Sequence, residues 1–223
     1  MDSTITAYRP SPRQSYIARE GYPFIAIAIA AVLLLRATGC FAAWIFMLGV
    51  AGFVAFFFRN PERVPPDEAG LVIAPADGRI LSVTEGVVAP CTGRESTKVS
   101  IFMSVLNVHI NRFPVAAKVK RVAYSAGRFL VASLDKASEA NERNALVLED
   151  ESGRELVMVQ IAGLVARRIV CYVREGDFRA RGERFGLIRF GSRVDIYLPP
   201  GAKIGVRPGD RVKSGESVIG RFA

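Results

Sequence analysis

Residues 144–173 read "NALVLEDESGRELVMVQIAGLVARRIVCYV". Valine, isoleucine and leucine alternate here with polar residues, and Ser152-Gly153 interrupts the run as a turn signal would, which predicts short strands. The same grammar extends outward in both directions. It recurs in "GLVIAPADGRILSV" (70–83), "STKVSIFMSVLNVHINRFPV" (96–115), "AKVKRVAYSAGRFLV" (117–131) and "VDIYLPPGAKIGV" (194–206), with Asp-Gly and Pro-Gly as further punctuation. A helical period shows only as short turns near Asp135–Arg143. The chain beyond residue 70 is therefore expected to be mostly β.

The N-terminal part reads differently. Tyr22–Leu35 is "YPFIAIAIAAVLLL", and after Arg36 an uncharged run, "ATGCFAAWIFMLGVAGFVAFFF", continues to Phe58. The second run is long enough to cross a bilayer core as a helix. The first is shorter, so it either spans with Arg36 snorkelling to one interface or dips in as a re-entrant arm. Arg9, Arg13 and Arg19 precede this region and Arg59 and Arg63 follow it. The positive-inside rule then keeps both ends cytoplasmic, with Arg36–Gly39 at the far turn of a helical hairpin. A cleaved signal peptide fits less well, because a second long apolar run follows and no small-residue cleavage site separates the two. The expected organisation is an anchor over 1–58, a Pro-rich linker "RNPERVPPDEAG" over 59–70, and a β-rich domain over 71–223.

The 223 residues carry 30 Lys and Arg against 21 Asp and Glu, and beyond residue 58 the balance is 26 against 19. For a basic domain tethered beside lipid, an anionic headgroup or membrane surface is a simpler partner than nucleic acid. The three cysteines, Cys40, Cys91 and Cys171, show no CxxC spacing. That argues against a disulfide frame or a zinc site. With a single histidine, His109, a multi-histidine metal centre is excluded, and neither a G-x-S-x-G elbow nor a phosphate-binding P-loop is present.

Three small features remain. Asp77, in "APADGRI", is either a turn residue capping backbone amides or a carboxylate that orients an imidazole. His109, in "NVHINR", is either structural or a base that titrates near neutrality. The pair Gly191-Ser192, in "GLIRFGSRVDIYLPP" (186–200), is on local grounds a bend in a strand pattern.

Taken together and in this order, the apolar anchor, "FFRNPERVPP", "APADGRI", "NVHINRFP" and "ERFGLIRFGSRVDIYLPP" resemble the short, membrane-associated form of the phosphatidylserine decarboxylase family, over nearly the whole chain. The tail "VRPGDRVKSGESVIGRF" (206–222) also resembles hairpins of biotinyl and lipoyl carrier domains and other barrel-sandwich folds, without their carrier-lysine motif; Lys213 lies in an ordinary turn. The fold so implied is a barrel-sandwich-like β domain behind a transmembrane or re-entrant hairpin.

The family resemblance implies that the proenzyme cuts itself between Gly191 and Ser192. The Ser192 hydroxyl attacks the Gly191 carbonyl, an N-to-O acyl shift gives an ester, elimination leaves dehydroalanine, and hydrolysis with loss of ammonia yields a pyruvoyl group. This group would be the sole cofactor, with no metal. It serves as the electron sink when phosphatidylserine loses carbon dioxide to become phosphatidylethanolamine. The two products, 1–191 and 192–223, stay together as a heterodimer. By the same resemblance His109 activates Ser192 and Asp77 orients His109. Longer relatives carry a further histidine where this chain has Leu106, which leaves the proton donor of the decarboxylation step open. Arg112 and Arg193 lie beside these residues and are candidates for the substrate phosphate, on adjacency alone. The implied location is the cytoplasmic face of the inner membrane. Two other readings stand beside this one: a decarboxylase of a related aminophospholipid, and a non-enzymatic membrane-tethered β adaptor.

Overall fold

The structure is a computed structural model and describes residues 15–127, 141–163, 168–189 and 192–222. It divides into two compact units, one ending at Glu62 and the other running from Arg63.

The first unit is a helical hairpin. Helix α1 (Tyr22–Ala37) starts with a proline in its first turn and is preceded by a short 3₁₀ turn, Arg19–Gly21. Helix α2 (Phe41–Phe57) follows a turn in which Thr38 Oγ1 donates to the Leu35 carbonyl at 2.7 Å. The segment of spanning length is not the one that the apolar runs suggest. Arg19–Ala37 is the 19-residue helix long and apolar enough to cross a membrane, whereas Phe41–Phe57 is shorter. Ala37 closes α1 and residues 38–40 form the turn, which shortens the second run; the 3₁₀ turn lengthens the first. The hairpin's two ends are clasped together: Ala18 N–H donates to the Phe58 carbonyl at 2.8 Å and Asn60 N–H to the Tyr16 carbonyl at 2.7 Å. Ile27, Leu34 and Phe46 are largely exposed, as suits a lipid solvent.

The second unit is built of strands, as the alternation predicts. These are β1 (Leu71–Ile73), β2 (Gly78–Val88), β3 (Glu95–Met103), β4 (Ile110–Arg112), β5 (Ala117–Ser125), β6 (Arg143–Asp150), β7 (Glu155–Ala162), β8 (Ile169–Cys171), β9 (Phe178–Arg179), β10 (Arg184–Ile188), β11 (Ser192–Leu198), β12 (Lys203–Ile204), β13 (Arg211–Val212) and β14 (Val218–Arg221). Eight of them form one sheet in the order β13-β2-β3-β11-β7-β6-β5-β9, and two three-stranded sheets, β4-β10-β8 and β1-β14-β12, complete the unit. The β6–β7 hairpin turns on Asp150, whose Oδ1 accepts from the N–H groups of Ser152 and Arg154, an Asx turn of the kind that Ser152-Gly153 announces. The segment 135–140, expected to hold helical turns, lies outside the described residues, and Arg143 is in β6.

Alternation gives the large sheet two apolar faces. Val99, Ile101, Met103, Leu146, Leu148, Met158, Ala162, Val194 and Ile196 join the main core, together with Phe113, Phe185 and Ile188 of the adjoining segments. Ala145, Val147, Val157, Val159 and Ile161 form a smaller cluster on the opposite face. Residues of β11 with even numbers therefore face the main core, and Ser192 is the first of them.

The stretch expected to be a linker is only partly one. Arg63 is buried in the β unit, and Arg181 Nη1 donates to the Glu68 carbonyl at 2.7 Å and the Leu71 carbonyl at 3.4 Å, holding this stretch down. Burial lowers the Arg181 pKa from the ordinary arginine value, against the upward pull of Asp67 and Glu68.

Candidate active site

Ser192 opens β11, a central strand, and its side chain is fully buried. Its ladder partners are Met103 at the end of β3 and Ala162 at the end of β7. The Ser192 hydroxyl donates to Met103 Sδ at 3.3 Å. Gly191, the other half of the expected scissile bond, lies outside the described residues.

His109 is reached from the same strand end. The loop Ser104–Val108 leads from Met103 to His109 and is braced by Asn107, whose Oδ1 accepts from Ser104 N–H at 2.9 Å and Ser104 Oγ at 2.8 Å. His109 is buried, and its Nδ1 lies 3.0 Å from the Asn107 carbonyl. A carbonyl can only accept, so Nδ1 carries the proton and Nε2 is the basic nitrogen of the neutral ring. The His109 carbonyl in turn accepts from Ile188 N–H at 3.4 Å, at the end of β10. Four residues later the chain is at Ser192, a span of at most about 14 Å. Two chain connections, Met103 to His109 and Ile188 to Ser192, thus bring the histidine and the serine to one end of the sheet.

Asp77 precedes β2 and is buried against the same loop. Both its oxygens accept from the Arg63 guanidinium, Nη2 to Oδ2 at 2.9 Å, while Ser214 N–H donates to Oδ1 at 2.8 Å and Val108 N–H to Oδ2 at 3.4 Å. The Asp-Gly pair is therefore more than a turn. A Cβ at Gly78 would lie 2.0 Å from the Phe102 carbonyl oxygen, so only glycine lets this strand start so close to the end of β3.

Arg112 and Arg193 have tasks other than the expected one. Each is about 1% exposed. Arg193 Nε and Nη2 donate to the two carboxylate oxygens of Asp195 at 2.6 and 2.8 Å, and Nη2 also to Ser100 Oγ at 3.1 Å. Arg112 Nη1 donates to the Gly182 carbonyl at 2.9 Å. Neighbours in a strand face opposite ways, so adjacency to Ser192 turns Arg193 away from it. Leu106 is exposed at the tip of the loop.

Arg63, Ser214 and Met103 complete the site and were not among the residues picked from the sequence. Arg63 and Ser214 belong to the Pro-rich stretch and an ordinary-looking turn, and Met103 to an apolar strand, so no local pattern marks them. No group of three or more His, Cys, Asp or Glu positioned to hold a metal ion occurs among the described residues.

The site thus holds a buried serine at the head of a strand, a histidine delivered to the same sheet end, and a carboxylate that accepts from the histidine's loop. The sequence model of the phosphatidylserine decarboxylase family matches residues 50–220. The chain belongs to the phosphatidylserine decarboxylase family. It is similar to the phosphatidylserine decarboxylase proenzyme of Syntrophus aciditrophicus, at 50% identity over 93% of this chain and 98% of that one. The proenzyme of Nitrosomonas eutropha is 51% identical over 97% of this chain and 99% of its own, and that of Burkholderia mallei 52% over 91% and 94%. The family match thus extends through the β unit, and the similarity to the named proenzymes reaches nearly the whole chain.

Proposed function

We propose that this chain is a self-cleaving proenzyme whose mature form, carrying a pyruvoyl group derived from Ser192, decarboxylates phosphatidylserine to phosphatidylethanolamine at the membrane surface. The observation that carries the reading is the Ser192 hydroxyl, fully buried at the first residue of a central strand in a chain about half identical to named proenzymes. A serine needed only as a strand residue would gain little from that place, since burying a hydroxyl on a weak thioether acceptor costs free energy.

In the cleavage step, His109 Nε2 takes the Ser192 hydroxyl proton as Oγ adds to the Gly191 carbonyl carbon. The carbon–nitrogen bond breaks, and the proton passes to the departing amine. Loss of the Cα proton then expels the Gly191 carboxylate, and water hydrolyses the dehydroalanine with release of ammonia. Asp77 serves by holding Val108 N–H and so the residue before the histidine, with Arg63 balancing its charge. Arg193 and Arg112 fasten the strands around the site.

The surroundings of Ser192 fit a pyruvoyl group. Its ladder neighbours are a thioether and a methyl side chain, Met103 and Ala162, which suit a neutral keto group and would penalise a charged one. When present, that group supplies the electron sink for loss of carbon dioxide. The hairpin keeps the catalytic unit at the bilayer, on the cytoplasmic face of the inner membrane, where a two-chain lipid resides.

Mass spectrometry of the purified protein tests the reading. Residues 192–223 should appear as a separate chain with a blocked, pyruvoyl N-terminus, and Ser192→Ala should give only the intact chain of 24.3 kDa, without activity. Cleavage in that variant, or an intact active wild type, would sink the proposal.

A further inference from the structure

A line of buried polar side chains runs from Ser192 into the core. Asn144 Nδ2 donates to Gln160 Oε1 at 3.0 Å, and Gln160 Nε2 donates to Asn111 Oδ1 at 2.8 Å. Asn111 Nδ2 then donates to Met103 Sδ at 3.7 Å, the sulfur that also accepts from Ser192 Oγ. None of the five is more than 2% exposed. Asn144, Gln160 and Ser192 sit on β6, β7 and β11 and face the main core, and Asn111 comes from β4 across it.

The direction of the line is fixed. Met103 Sδ can only accept, so the Asn111 amino group faces it; the Asn111 oxygen then accepts from Gln160 Nε2, which leaves the Gln160 oxygen to accept from Asn144. Gln160 can reach Asn111 because Gly186 lies between them. A Cβ there would come within 3.1 Å of Gln160 Nε2 and 2.2 Å of the Val170 carbonyl oxygen. Three buried amides in a core otherwise rich in Val, Leu and Ile give up apolar packing, and among the described residues the reactive group they lead to is Ser192.

We propose that Met103 holds the nucleophile for self-cleavage and that Asn111, Gln160 and Asn144 are positioning residues acting through it. The inference rests on the reading of Ser192 as that nucleophile. Pinned by Asn111, the sulfur accepts the Ser192 hydroxyl and selects one side-chain rotamer before the reaction begins. A thioether is too weak an acceptor to retain the proton, so His109 takes it without competition. An amide or carboxylate in the same place would hold the hydroxyl strongly and slow its release.

Cleavage of the full-length chain, followed on gels and by mass, tests this. Met103→Leu conserves volume and removes the acceptor; cleavage should slow about 10- to 100-fold, the scale of a misplaced reacting group. In the uncleavable Ser192→Ala background the same change should lower the thermal midpoint by only a few degrees, the cost of leaving Asn111 Nδ2 without its acceptor, and cleavage is followed well below that midpoint, which separates positioning from folding. Gln160→Glu gives a second readout. While the introduced carboxyl is protonated it donates to Asn111 as the amide does, and cleavage stays near the wild-type rate. Once ionised it can only accept, the Asn111 amide reverses, and the rate falls as pH rises along a limb that the wild type lacks. Wild-type cleavage by Met103→Leu, or a wild-type pH profile for Gln160→Glu, overturns the inference and leaves self-cleavage at Ser192 standing. Cleavage in Ser192→Ala overturns that underlying reading instead.

Discussion

At Asp77 a carboxylate that is 9% exposed meets a guanidinium that is 7% exposed. Removing one member of such a pair leaves a buried charge without its counterion, which costs far more than the pair itself contributes. Arg63→Ala in the Ser192→Ala background should therefore lower the free energy of unfolding by about 3–5 kcal/mol, read from urea denaturation. A loss below about 1 kcal/mol, the range of a surface pair, would show that water reaches Asp77 freely. At this scale the sequence singles out the rare residues on which the proposed chemistry rests: one histidine, an Asp-Gly, a Gly-Ser. It was not legible where contacts join distant segments. Asp77 meets Arg63 across 14 positions, Ser192 meets Met103 across 89, and Ser214 meets Asp77 across 137. Arg193 shows the opposite error, since chain adjacency to Ser192 suggested a shared site that strand alternation forbids.

Strands are legible because alternation and turn residues are local, and so β6 and β7 follow from residues 144–162 alone. Their neighbours are not, because β11 inserts between β3 and β7 from far along the chain and no local rule encodes that order. The apolar runs predict a hairpin of helices, yet their lengths misjudge which segment reaches spanning length, because the turn takes its residues from the second run and the 3₁₀ turn extends the first helix. Gly78 is where element packing bears on the site. Its close approach to Phe102 sets the start of β2 and with it the position of Asp77. Gly78→Ala must push β2 away from β3, at about 1–3 kcal/mol as for other overpacked positions. Measured by denaturation in the uncleavable background, a neutral substitution would mean that the two strand ends yield without strain. In the cleavable chain the same change should slow processing, because Asp77 would move away from Val108.

For the molecule as a whole, the cleavage proposed at Ser192 would have to cut the chain without releasing the piece it produces. Residues 192–223 contribute β11 to β14. β11 pairs with β3 at seven positions and with β7 at six, β13 pairs with β2, and β14 pairs with β1. Val194, Ile196, Leu198 and Ile219 are fully buried in the main core, and Ser214 N–H is one of the donors to Asp77. No short peptide on the surface has this character; the segment is the middle of the sheet, and its loss would expose two strand edges and the core face. The two chains should therefore co-elute in size-exclusion chromatography in detergent after complete processing, and separate only at the denaturant concentration that unfolds the β unit. They should also stay together with membranes through a high-salt wash, because the apolar hairpin rather than surface charge retains them. Dissociation of residues 192–223 under native conditions would mean that the sheet survives without its central strand, and the mature site, which draws on both chains, could not persist.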